Sequence, residues 1–259
     1  MIKKVILMGR KPGASMALKW LLNNGIEVPF VVADPNEAFK IKLKDTALAL
    51  GIPIVTEGYI YDLIRQKDTS INNVDLVISY LYWKRIRDPL INLPQVGCIN
   101  FHPAPLPDYK GRAGYNTAIL DKREDYGVSA HFIDSEEFDA GPIIKVKKFP
   151  ISPVTENALS LEEKSQDYLL ELFKEVIQLF IEGDEVITTS NLGGVYWSKK
   201  DLERNKEINL NEDSAEEMDR KIRAFFFPPY CGAKLIIGDQ EVTLINKKIL
   251  KYLSNRLNR

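Results

Sequence analysis

Short apolar runs alternate with helically spaced apolar residues along the first half of the chain. Val5 to Met8 is a run closed by Gly9, and Met16 to Leu22 has helical spacing behind it. Val28 to Ala33 predicts a second strand ending at Asp34-Pro35, Asn36 to Leu50 a helix closed by Gly51, and Ile52 to Val55 a short strand. Tyr59 to Arg65 predicts a helix and Asp75 to Ser79 a buried strand. Such alternation argues for an α/β fold, with a mainly parallel sheet covered by helices on both faces.

The pattern continues with a strand from Val96 to His102 stopped by Pro103, a proline-rich loop to Asp108, and a helix from Ala113 to Leu120. Strands Val128 to Ile133 and Ile143 to Phe149 flank a turn at Asp139-Ala140-Gly141, and Asn157 to Ile181 has long helical periodicity ending at Gly183. Composition then changes. Gly193 to Leu210 reads as polar and irregular, Ala215 to Phe226 as a helix, and Leu235 to Ile245 as a hairpin turning at Gly238-Asp239. A boundary near residue 186 separates a larger domain, 1–185, from a small α+β C-terminal region, 186–259.

The 259 residues are 45% hydrophobic and 27% charged, with a formal net charge of −1. That balance gives no general attraction to nucleic acid or anionic membrane. The tail from Lys247 onward is basic and reads as a solvated helix. Of two cysteines, Cys98 lies in an apolar strand-like run and predicts a buried free thiol; with two histidines, no zinc cage of the usual spacing can be built. With no secretory signal pattern and no bilayer-length apolar run, a cytoplasmic location is expected.

The histidines are His102 and His131. Asn100 and His102 are two apart, so a strand puts both on one face, at the carboxyl end where open α/β sheets bind ligands. The plain alternative is a buried polar pair satisfied by its neighbours. Asp139 precedes a glycine turn, where aspartate is ordinarily a turn residue. Asp134, Glu136 and Glu137 compete with it, and spacing does not decide among these carboxylates.

The run Asn100-Phe101-His102-Pro103-Ala104-Pro105-Leu106-Pro107, followed by Lys110-Gly111-Arg112, resembles the first signature of the folate-dependent formyltransferases. Gly127-Val128-Ser129-Ala130-His131-Phe132 and Phe138-Asp139-Ala140-Gly141-Pro142 resemble the second. The resemblance implies a Rossmann-like core, 10-formyltetrahydrofolate as co-substrate, and no metal or nicotinamide. It implies Asn100, His102 and Asp139 as the catalytic set, with His131 supporting Asp139. The stretch Ser79, Tyr80, Leu81, Tyr82, Trp83 falls where the family builds its pterin pocket; its aromatics serve equally well as core packing.

The Gly-x-x-Gly-Tyr-Asn run and the aromatic C-terminal stretches look most like the branch that formylates nucleotide-linked amino sugars. That likeness implies a dTDP-linked 4-amino or 3-amino dideoxyhexose, leaning to the 4-amino isomer, for O-antigen or related glycans, and a homodimer. Arg10, Lys11 and Lys84 lie on loops suited to a diphosphate, and Tyr196, Trp197, Phe227 and Tyr230 offer stacking surfaces. Two related readings compete. Methionyl-tRNA formyltransferase shares the chemistry, but a shortened C-terminal part and the net charge argue against a tRNA footprint; glycinamide ribonucleotide transformylase needs nothing beyond about residue 190. From another class, an NAD-dependent oxidoreductase would place its loop at Gly9-Arg10-Lys11-Pro12-Gly13 and an acid at Asp34, yet the G-x-G-x-x-G spacing is absent.

Overall fold

A computed structural model describes residues 1–111 and 114–257. Arg112 of the first signature and Ala113, where the fourth helix was expected to start, lie outside the described residues.

The first compact unit comprises residues 1–106, 128–147 and 166–192. Strand β1 (Val5–Gly9) leads into helix α1 (Lys11–Asn23), followed by β2 (Val31–Ala33), α2 (Leu43–Ala49), α3 (Glu57–Gln66) and β3 (Leu76–Tyr80). After β4 (Gly97–His102) the chain runs through the two-residue β5 (Lys110–Gly111) and α4 (Gly114–Leu120). It then returns as β6 (Asp125–Ile133), β7 (Ile143–Pro150) and the long α5 (Ala158–Glu182). One six-stranded sheet has the order β2-β1-β3-β4-β6-β7. Its first four strands are parallel, and β6 runs antiparallel to β4. The α/β expectation holds.

Alternation along the strands divides the core between the two sheet faces. Ile6, Met8, Val77 and Cys98 bury one face together with Ile60 and Leu63 of α3. Tyr80 and Phe101 pack with Phe173 of α5 on the other, with centroid separations of 5.9 Å for Tyr80–Phe173 and 5.0 Å for Phe101–Phe173. Cys98 is a buried free thiol, as expected, and its burial pushes the thiol pKa up to about 12.

The second unit gathers residues 107–127, 148–165 and 193–259, so each unit is woven from three segments, whereas the sequence reading made one cut near residue 186. It holds β8 (Tyr196–Trp197), α6 (Lys199–Asn205), α7 (Ala215–Ala224), the hairpin β9 (Lys234–Ile237) and β10 (Gln240–Thr243), and α8 (Lys247–Leu257). Tyr109, Tyr115 and Phe149 surround the fully buried Tyr126.

Several element boundaries differ from the expectation for local reasons. Pro29 has no N–H to give a ladder, so β2 starts at Val31 rather than Val28. Only residues 43–49 of the expected helix 36–50 are helical, because the Glu37 carboxylate turns inward to accept from the backbone N–H groups of Lys11 and Leu43. Ile54 alone bridges to β2 where a strand was expected. The stretch read as irregular contains α6: it has little apolar periodicity, but Ser198 and Asp201 form a reciprocal capping box that starts the helix.

Candidate active site

Register lays a polar row across the centre of the sheet. Ser79 of β3 stands beside Asn100 of β4, and Asn100 beside His131 of β6. His102, one pleat further along β4, is paired with Ser129. These side chains lie on one face by the period-two rule. Ser79, Asn100 and His131 are joined by hydrogen bonds, so their polar groups are not left unsatisfied.

Ser79 Oγ donates to Asn100 Oδ1 (2.7 Å). Asn100 Nδ2 lies 3.0 Å from His131 Nε2 and 3.3 Å from Asp139 Oδ1. The other ring nitrogen of His131, Nδ1, is 2.8 Å from the Phe132 carbonyl oxygen. A carbonyl oxygen only accepts, so Nδ1 carries a hydrogen. In that tautomer Nε2 accepts from the Asn100 amide nitrogen. His131 Nε2 also falls 3.6 Å from Asp139 Oδ1, a distance compatible with an ion pair. His131 was expected to support Asp139, and its Nε2 lies against both Asp139 and Asn100.

Asp139 completes the cluster. Its Oδ1 lies 3.3 Å from His102 Nδ1, and both side chains are buried. The Asp139 backbone has φ +52°, the left-handed region, which costs a non-glycine residue on the order of 1–2 kcal/mol. Two residues on, a Cβ on Gly141 would overlap the Phe132 carbonyl, so only glycine lets the turn lie this close to β6. Asn191 Nδ2 donates to both the Asp139 and Gly141 carbonyl oxygens, each at 2.8 Å. The competing acids stand apart in exposure: Glu136 and Glu137 are exposed, while Asp139 is buried.

The loop after His102 is held by Ser129, a residue of the second signature with no role expected for it. Ser129 Oγ accepts from Leu106 N (2.8 Å) and donates to the Ala104 carbonyl (2.7 Å). Asn191 was also missed. It lies between Gly183 and Gly193, where no element was expected, and no spacing rule connects it to a turn 50 residues earlier.

The expected pterin stretch separates into two kinds of residue. Tyr80 and Leu81 are buried, Tyr80 within the core, so they offer backbone rather than side chain; Ser79 is committed to Asn100. Tyr82 donates its hydroxyl to Glu57 Oε2 (3.0 Å), and burial together with Glu57 pushes its pKa upward. Trp83 lines a cavity of about 670 Å³ with Phe138, Pro89, Arg65, Arg85 and Arg87. The Arg85 guanidinium lies 4.7 Å from the centre of the Phe138 ring.

The residues expected at the nucleotide are dispersed. Arg10 Nε donates to the Leu81 carbonyl (2.9 Å) and ties the loop after β1 to the end of β3. Lys11 donates its backbone N–H to Glu37. Lys84 is exposed, its ammonium 5.9 Å from the Trp83 ring centre. In the other unit, Tyr196 is exposed beside the backbone of Gly111, Trp197 is half-buried, and Phe227 is tilted against the exposed Tyr230 at 6.0 Å. The Glu37 contact also bears on dinucleotide binding. An N–H at the start of α1, where a pyrophosphate would sit, is taken by a buried carboxylate of the chain itself.

Residues 61–177 match the family model described as formyl transferase. The methionyl-tRNA formyltransferase of Thermodesulfovibrio yellowstonii is 27% identical over 95% of this chain and 80% of its own length. Among solved structures, the N-formyltransferase from Helicobacter canadensis, in complex with folinic acid and dTDP-3-aminofucose, is 26% identical. That likeness has a TM-score of 0.74 and covers 95% of this chain and 89% of that one. A 4-N formyltransferase from Francisella tularensis has a TM-score of 0.76 at 22% identity, covering 94% of this chain and 97% of that one, a likeness of fold.

Proposed function

We infer, from the premise that residues 61–177 of this chain are a formyl transferase domain, that it moves a formyl group from 10-formyltetrahydrofolate to the amine of a dTDP-linked amino dideoxyhexose. The observation that carries the chemistry is the buried cluster in which Asn100, His102 and Asp139 meet at one carboxylate oxygen. The likeness to the Helicobacter canadensis enzyme, crystallised with folinic acid and dTDP-3-aminofucose, supports the substrate class.

The folate supplies the formyl carbon. The cavity lined by Trp83 and by Phe138, the residue before Asp139, offers flat apolar surfaces for its rings, and Arg65, Arg85 and Arg87, which line it with Glu57 and Asp88, offer cations for its glutamate carboxylates. As the amine adds to the formyl carbon, negative charge gathers on the formyl oxygen. Asn100 holds one amide hydrogen on His131 and presents the other, on the side facing Asp139, to that oxygen. A preorganised donor of this kind is worth about 3 kcal/mol. In its protonated form His102, 3.3 Å from Asp139, donates to the same oxygen. Asp139 stabilises the imidazolium, then relays the proton that the amine must lose; collapse of the tetrahedral adduct breaks the bond from the formyl carbon to the folate nitrogen, which takes up that proton and leaves as tetrahydrofolate. The exposed rings of Tyr196 and Tyr230 are of the type that stacks on a nucleobase.

The sequence reading leans to the 4-amino sugar, and the dTDP-3-aminofucose in the Helicobacter canadensis complex favours the 3-amino isomer. A second reading, formylation of methionyl-tRNA, is favoured by the relative from Thermodesulfovibrio yellowstonii; the net charge of −1 weighs against it. Incubation with 10-formyltetrahydrofolate and a panel of dTDP-linked 3-amino and 4-amino sugars and methionyl-tRNA, read by mass spectrometry, tests the assignment. A formylated dTDP-sugar is expected. Formylation of the tRNA alone would overturn it.

A further inference from the structure

Asp139 is held by its surroundings rather than by its own loop. Residues 135–138 before it are exposed, and its backbone lies in the left-handed region. The support comes from the segment after α5. Thr189 exchanges two backbone hydrogen bonds with Ile143 at the start of β7, Ile143 N to Thr189 O at 2.9 Å and Thr189 N to Ile143 O at 2.8 Å. That bridge fixes the position of the buried Asn191 two residues later. Both of the 2.8 Å donations from Asn191 Nδ2 are spent on the carbonyls that bracket the turn, those of Asp139 and Gly141.

We propose that Asn191 is a positioning residue for formyl transfer, clamping the 139–141 turn so that the Asp139 carboxylate stays in register with His102 and Asn100. This rests on the reading of Asp139 as part of the catalytic set. Asn191 acts through the Asp139 backbone. Its loss therefore leaves the carboxylate in place chemically but free to drift from the 3.3 Å contacts with His102 Nδ1 and Asn100 Nδ2. Misplacement on the scale of an ångström is enough to slow a reaction up to about a hundredfold.

The test measures kcat and KM per folded enzyme, with folding followed by near-ultraviolet circular dichroism. Asn191→Ala is expected to lower kcat by about tenfold while both KM values stay within about twofold. Asn191→Asp, equal in volume but facing two carbonyl oxygens with a carboxylate, is expected to lose at least as much; a side chain that merely filled space would tolerate it. In an Asp139→Asn background, Asn191→Ala should cause no further fall, because the group it positions is already disabled. An equal fall in both backgrounds, a wild-type kcat in Asn191→Ala, or failure of both Asn191 variants to fold would overturn the proposal. A wild-type kcat in Asp139→Asn alone would instead remove the reading of Asp139, and the proposal with it.

Discussion

At the scale of residues, the site is a set of donors and acceptors whose orientations are determined one by the next. The Phe132 carbonyl sets the tautomer of His131, His131 sets the amide of Asn100, and Ser79 meets the carbonyl end. If that set performs the chemistry, Asn100→Ala, His102→Ala and Asp139→Ala each lower kcat by about a hundredfold or more, with folate affinity largely kept. Asp134→Asn and Glu137→Gln are the controls and should stay within about tenfold of wild type. Equal damage from Asp134→Asn would show that the wrong carboxylate has been chosen. The pair Asn100 and His102 was legible in the sequence, because strand periodicity alone puts residues two apart on one face. The direction of each hydrogen bond was not, since it depends on a carbonyl of β6 and a serine of β3 that only sheet register brings alongside.

At the scale of elements, β7 and α5 are joined by charge. Lys145 and Lys147 reach Glu175, and the hydrogen bonds from Lys145 and Lys147 hold its carboxyl below the usual range. A carboxylate whose folded pKa is depressed adds stability above its unfolded pKa, about 4.3, and loses it as pH falls through the folded value. Glu175→Gln should therefore lower stability near neutral pH, by less than about 1 kcal/mol because the pair is partly exposed and screened. The difference should fade in acid. Chemical unfolding of both proteins across that range checks the sign, and a deficit unchanged in acid would contradict it. Elements with strong apolar periodicity, such as β1, β3 and α5, were legible from sequence; α6 was not, because its start is set by the Ser198–Asp201 capping box rather than by a buried stripe. The inward turn of Glu37 shortened α2 for a similar reason, a tertiary contact overriding local propensity.

At the scale of the whole molecule, the account requires one protein to bind a folate and a nucleotide-linked sugar. A ligand of the native state stabilises it by RT ln(1 + [L]/Kd), about 2.7 kcal/mol at a hundredfold excess. dTDP alone should raise the melting temperature. No shift at concentrations that saturate the amino-sugar reaction would contradict a nucleotide-linked acceptor. The measurement that tests the central claim most directly follows the carbon itself. The chain is mixed with 10-formyltetrahydrofolate labelled with carbon-13 in the formyl group and with the dTDP-linked amino sugars, and the label is traced by nuclear magnetic resonance. The account predicts that the label moves to an amide on the sugar nitrogen, and that Asp139→Asn slows this by about a hundredfold. Label that remains on the folate or leaves as free formate, or transfer at the wild-type rate in Asp139→Asn, would contradict it.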